Sequence, residues 1–193
     1  MKHLLALSLV IGLNGLTAAP VQAEQRYMEC SSGDNELHYS GCSWLDQLSH
    51  NPLRQNAVAA PGLENGNSVH VCREFAGVPG KRVGTNCYTP WYGKESGHSH
   101  YQVLAAQPGL VEWEAINYRA NEAQVQPGKL LIKSMNEGSY NSYICAVRDQ
   151  HGNFMTGKYV GSYCWYPYGG HEYAVDPANH SDNRQVYVLW YKG

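Results

Sequence analysis

The sequence predicts an all-β domain: a pseudo-symmetric sandwich or barrel-like body built from two intertwined repeats. Three observations carry that expectation. Apolar residues alternate with polar ones in short runs and do not recur at three-four spacing. Those runs are bounded by Gly, Pro and Asn clusters, in a chain with 20 Gly and 9 Pro. One unusual stretch is also written twice: residues 80–93 read GKRVGTNCYTPWYG and residues 157–170 read GKYVGSYCWYPYGG.

Taken in order, the chain opens on Lys2, a mostly apolar run from Leu4 to Leu16, and the small-residue signal Val21-Gln22-Ala23. Residues 1–23 thus read as a secretory signal peptide, which places the protein in the periplasm or outside the cell. The apolar part is too short to span a bilayer, and no later stretch is long enough to do so. Residues 24–43 form an N-terminal segment. Residues 44–193 form one domain of two copies, about 44–112 and 113–193, headed by Trp44 and Trp113. In copy one, SVHVCREF (68–75) sets Val69 and Val71 on one strand face against His70, Cys72 and Glu74. Its copy-two partner is NSYICAV (141–147), and HYQVL (100–104) is matched by QVYVLWY (185–191). The repeated stretch keeps a constant offset of 77 (Lys81 to Lys158, Cys87 to Cys164), whereas Val71-Cys72 maps to Ile144-Cys145 at an offset of 73. Copy two therefore carries about four extra residues, within RDQHGNFMTGK. Two units are too few for a solenoid and must pack on each other.

Six cysteines in an exported chain favour disulfides over a metal site or a reactive thiol. The repeat pairs Cys72 with Cys87 and Cys145 with Cys164, leaving Cys30 with Cys42; an arrangement linking the two copies stays open. Fourteen Lys and Arg against sixteen Asp and Glu, with no basic run, argue against nucleic acid as partner. Fifteen Tyr and five Trp against two Phe put polar handles on most of the rings, which suits half-wet surfaces and sugar faces.

The combination VCRE…VPGKRVGTNCYTPWYG followed by YQVL resembles the DM-nine repeat family, as does YICAV…MTGKYVGSYCWYPYGG followed by VYVL. The resemblance covers residues 44–191. It implies a β-rich, mannose-type lectin with one sugar site per repeat, and glycans as partners. By the same resemblance, Lys81 and Lys158 hold sugar hydroxyls with an acidic position upstream, which falls near Asn65, with Glu64 beside it, in copy one and near Glu137 in copy two. Copy two has Ala146 where the pattern has Arg.

Elementary chemistry supports such a site. An ammonium supplies three donors, a carboxylate or amide supplies acceptors, and a vicinal diol can meet both. Rings beside the lysines, Trp91 and Tyr92 with Tyr88 in copy one and Tyr166 and Tyr168 with Trp165 in copy two, would pack the apolar sugar face. The reading requires both ammonium groups open to solvent. Two sites on one body, or four in a homodimer, would gain avidity on a repetitive surface. No cofactor or metal is expected: His98/His100 and His171-Glu172 match no established ligand spacing. Two rival classes stand beside this one. A protein-binding module, such as an inhibitor of a secreted toxin, would also use exposed Tyr and Trp. A glycoside-active enzyme would use Glu95 and Glu172 as a carboxylate pair. Those equivalent residues meet only near the pseudo-twofold axis, and no feature of the sequence puts them there.

Overall fold

The computed structural model describes residues 27–32, 40–120 and 128–193; the signal peptide expected at 1–23 lies outside them. The described chain is all β. Copy one holds β3 (Cys42–Leu48), β4 (Ala59–Glu64), β5 (Asn67–Arg73), β6 (Pro79–Val83), β7 (Asn86–Trp91), β8 (Lys94–His98) and β9 (His100–Ala106). Copy two repeats them as β10 (Val111–Ile116), β11 (Leu130–Glu137), β12 (Tyr140–Arg148), β13 (Phe154–Val160), β14 (Tyr163–Tyr168), β15 (His171–Val175) and β16 (Gln185–Tyr191). Each alternating run found in the sequence falls within one of these strands or overlaps it closely.

The strands form one sheet whose order is a palindrome of the two copies. From one end it runs β3-β9-β5-β6-β7-β8, then crosses to β15-β14-β13-β12-β16, with β10 on β16. At the crossing, Lys94 pairs with His171, residues 77 apart (94 to 171), so the pseudo-twofold axis passes through this junction. The N-terminal segment closes the far side. β1 (Tyr27–Glu29) runs parallel to β11, and β2 (Ser31–Ser32) runs parallel to β3. Only Cys30 separates these two strands, so the sheet is nearly a closed barrel. Closure matters because an unpaired sheet edge is a template for aggregation.

The register confirms that Trp44 and Trp113 are equivalent. Trp44 pairs with Leu104 on β9 and Trp113 with Leu189 on β16. β16 is buried on both faces: Val186, Val188 and Trp190 enter the copy-two core, while Leu189 enters a central core with Trp44, Val71, Leu104 and Ile144. That central core is where the copies meet, and it contains both members of the equivalent pairs Val71/Ile144 and Leu104/Leu189. The disulfides are Cys30–Cys42, Cys72–Cys87 and Cys145–Cys164. This is the pairing the repeat predicts, with no link between copies. Closing loops of this length contributes about 3 kcal/mol each.

The glycine of each Gly-Lys pair is sterically required. A Cβ on Gly80 would lie 2.0 Å from the Tyr88 carbonyl oxygen, and one on Gly157 would lie 2.0 Å from that of Trp165. The bare backbone lets neighbouring strands press together and fixes where the next residue, the lysine, points.

Candidate functional site

The two lysines stand at pseudo-equivalent points, on β6 and β13, with two strands between each and the axis. Both are buried, each with 3% of its surface exposed. The open ammonium groups that the diol reading requires are therefore found in neither copy: the repeat uses each lysine as the centre of an ion cluster, and a sugar site has to rest on the groups around it. Lys81 Nζ donates to Glu64 Oε1 at 2.6 Å and lies 3.6 Å from Glu95 Oε1. Lys158 Nζ donates to Glu137 Oε1 at 3.2 Å and lies 3.5 Å from Glu172 Oε1. Burying a cation this deeply is tolerable only with such partners.

The acceptor assigned to copy one also needs correction. Asn65 is exposed and holds a left-handed backbone (φ 48°) in the β4–β5 turn, and its carbonyl accepts from Asn67. Its copy-two equivalent is Gly138, also left-handed (φ 61°). Asn65 serves the turn, and the carboxylate beside Lys81 belongs to Glu64. Glu64 and Glu137 are 73 residues apart (64 to 137), the offset already fixed by Val71 and Ile144. The offset was thus the signal that identifies Glu64.

The rings are exchanged between copies. The Trp91 ring of copy one lies 4.3 Å from Lys158 Nζ, and the Tyr168 ring of copy two lies 5.0 Å from Lys81 Nζ. Such contacts stabilise a cation by about 0.5–2 kcal/mol. Tyr166 does not belong to this group. Strand alternation from Cys164 turns it into the copy-two core, where its hydroxyl accepts from Arg184 at 3.0 Å. Tyr92 is the opposite case: 84% exposed, edge-on to Trp91 at 4.9 Å and left-handed at φ 49°. Its copy-two equivalent is Gly169, at φ 58°.

Glu95 and Glu172 lie beside the axis, a placement that no feature of the sequence signals. Glu95 Oε2 accepts from the Gly170 amide at 2.6 Å, and Glu172 Oε2 accepts from the Gly93 amide at 2.7 Å. Each therefore bridges its own lysine to the other copy's turn. Their surroundings are alike, whereas acid–base hydrolysis needs two carboxyl groups held in unlike ones.

The Lys158 cluster opens onto a cleft of about 120 Å³ lined by Trp91, Tyr92, Glu137, Lys158, Trp165 and Glu172. The side chain of Glu137 is 30% exposed there, against 9% for Glu64. Glu64 and Glu137 each leave Oε2 without a hydrogen-bond partner. Burial raises the Glu64 carboxyl above its ordinary range, and Lys81 opposes that shift. A broader surface cleft of about 680 Å³ lies beside Tyr168 and Tyr173. Its charged groups are satisfied internally: Arg184 by Asp182, and Asp149 by the His151 and Asn153 amides. Among the described residues, no three His, Cys, Asp or Glu side chains converge as a metal site.

No family model matches the chain, and no curated protein sequence does. Among solved structures, the fold is similar to the nematode sperm cell motility protein MFP2B, with a TM-score of 0.57 and 16% identity. That alignment covers 79% of this chain but 44% of the motility protein, so the chain spans under half of its length. At this identity the likeness defines the class of all-β fold and nothing of the activity.

Proposed function

We propose that this is an exported, disulfide-bonded carbohydrate-binding protein whose binding group is the Lys158 cleft. One observation carries the reading: a partly exposed carboxylate, Glu137, backed by the buried Lys158–Glu172 pair, shares a hollow with two tryptophan rings. Glu137 exposes 30% of its side chain there and would accept a hydrogen bond from a sugar hydroxyl, while the buried Lys158 fixes that carboxylate from 3.2 Å away. Trp91 and Trp165 offer faces for the C–H side of a pyranose. The DM-nine resemblance, with its mannose-type lectins, points to the same chemistry. Three disulfides accord with an oxidising compartment, and among the described residues no helix is long and apolar enough to cross a membrane.

A glycan array probed with the oxidised chain tests the proposal, beside Trp91→Ala and Lys158→Met variants whose folding is checked by thermal melting. Retention on mannose-bearing glycans that both folded variants lose is the expected result. A blank array, or retention unchanged in both, overturns it. A blank array together with capture of one tight protein partner would favour the protein-binding class, to which the exposed Tyr92 and Tyr173 are also suited.

A further inference from the structure

The two clusters share a blueprint but differ in what covers them. The four extra residues of copy two lengthen the β12–β13 hairpin by two residues on each strand. β12 spans nine residues against seven for β5, and β13 seven against five for β6. The lengthened hairpin reaches across to copy one. Asn153 Oδ1 accepts from the Asn65 amide at 2.9 Å, in the turn that follows Glu64. Phe154 lies so close over Gly62 that a Cβ there would come within 2.5 Å of the ring. Asp149, at the same tip, is near enough to help raise the Glu64 carboxyl. The shorter β5–β6 hairpin of copy one stops at Ser134 and Met135, where the Ser134 hydroxyl donates to the Gly77 carbonyl. It does not reach Glu137.

The rings diverge in the same direction. Around Lys158 stand Trp91, Tyr92 and Trp165; the equivalent positions around Lys81 hold Tyr168, Gly169 and Tyr88. Tyr92 keeps a backbone conformation that costs a non-glycine residue about 1 kcal/mol, and local strain of this kind concentrates at binding sites. The open cleft has the volume of about four bulk waters, well below the ~300 Å³ of a typical drug-sized site. It admits one ring edge and not the interior of a sugar chain.

We infer that one of the two duplicated sites is sealed: the Asp149–Asn153 hairpin tip closes the Lys81 cluster, and each chain binds a single terminal pyranose, at Lys158. The ligand class rests on the carbohydrate reading above; the sealing does not. Two measurements separate them. In carbodiimide-driven amidation with glycine ethyl ester, read by peptide mass spectrometry, Glu137 reacts at least about tenfold faster than Glu64, and Asn153→Ala raises the Glu64 rate several-fold. Equal rates in the unmodified chain overturn the sealing. In titration with methyl α-D-mannopyranoside followed by amide and indole NMR, one equivalent saturates the protein, with shifts at Trp91 and Trp165. Two equivalents, or shifts of matching size at Tyr168 and Glu64, overturn the single-site claim. Unequal amidation with no sugar-induced shift supports the sealing and removes the carbohydrate reading with its pyranose.

Discussion

The Lys81 and Lys158 clusters are two outcomes of one design. Each has a lysine after an obligatory glycine, a carboxylate from the preceding hairpin, a second from the axis strand, and a ring from the other copy. The contacts that flank them even exchange sizes. Phe154 lies on Gly62 on one side, while Met135 lies on Gly77 on the other, and these residues are pairwise equivalent (62 to 135, 77 to 154). The difference shows that the scaffold conserves the electrostatics of the cluster while hairpin length decides access. Charge placement and accessibility are thus separately encoded.

Substitutions at the shared glycine would most forcefully test the symmetric half of that comparison. Gly80→Ala and Gly157→Ala each drive a Cβ into backbone that cannot yield, so each is expected to cost more than about 4 kcal/mol or to prevent folding. Urea denaturation checks this, and a mild cost at either position would break the equivalence of the scaffolds. Next in size, Lys81→Met leaves Glu64 and Glu95 buried without their cation and should cost about 3–5 kcal/mol. Lys158→Met should cost less, about 1–3 kcal/mol, because water reaches Glu137. Equal losses in the two variants would argue against the difference in burial.

Tyr92→Gly sharpens the functional half. Glycine accepts φ near 49° without strain, so stability should hold or rise by up to about 1 kcal/mol while glycan retention falls. Thermal melting and the array read the two effects separately; a joint fall would make Tyr92 a structural residue. The smallest effect concerns pH. Glu64 has its carboxyl pKa raised on folding, so the folded chain binds that proton more tightly than the unfolded one. Its contribution is fully present below the unfolded pKa and is lost as pH rises through the folded one. Relative to Glu64→Gln, the unmodified chain should therefore gain stability as the solution is acidified through that window. A flat difference between the two urea midpoints across pH would contradict this account.

Much of the fold could be read from the sequence because a duplication supplies its own alignment. The repeated stretch identified equivalent strands and paired Cys72 with Cys87 and Cys145 with Cys164, while Trp44 and Trp113, 69 residues apart (44 to 113), are matched by the register of the folded sheet. The site was less legible. The resemblance puts the copy-one acceptor near Asn65, whereas the offset from Glu137 points to its neighbour Glu64; Asn65 holds the left-handed turn instead. Which ring meets which lysine depends on β8 meeting β15 across the axis, a tertiary event with no local signature. The four extra residues were visible, but their destination, the turn at Asn65, follows only from the handedness and length of the folded hairpin.

The reciprocal reach of Glu95 to Gly170 and Glu172 to Gly93 has a consequence for what the polypeptide can be divided into. A fragment holding a single repeat would own a lysine and both its carboxylates, yet lack the aromatic lid and the amide its axis glutamate grips. It would become whole only by meeting a twin, at a rate set by concentration. Tethering the twins in one polypeptide makes that meeting unimolecular. It also releases the halves from having to stay identical, so one could grow a longer arm and shut its neighbour's door while the other stayed open.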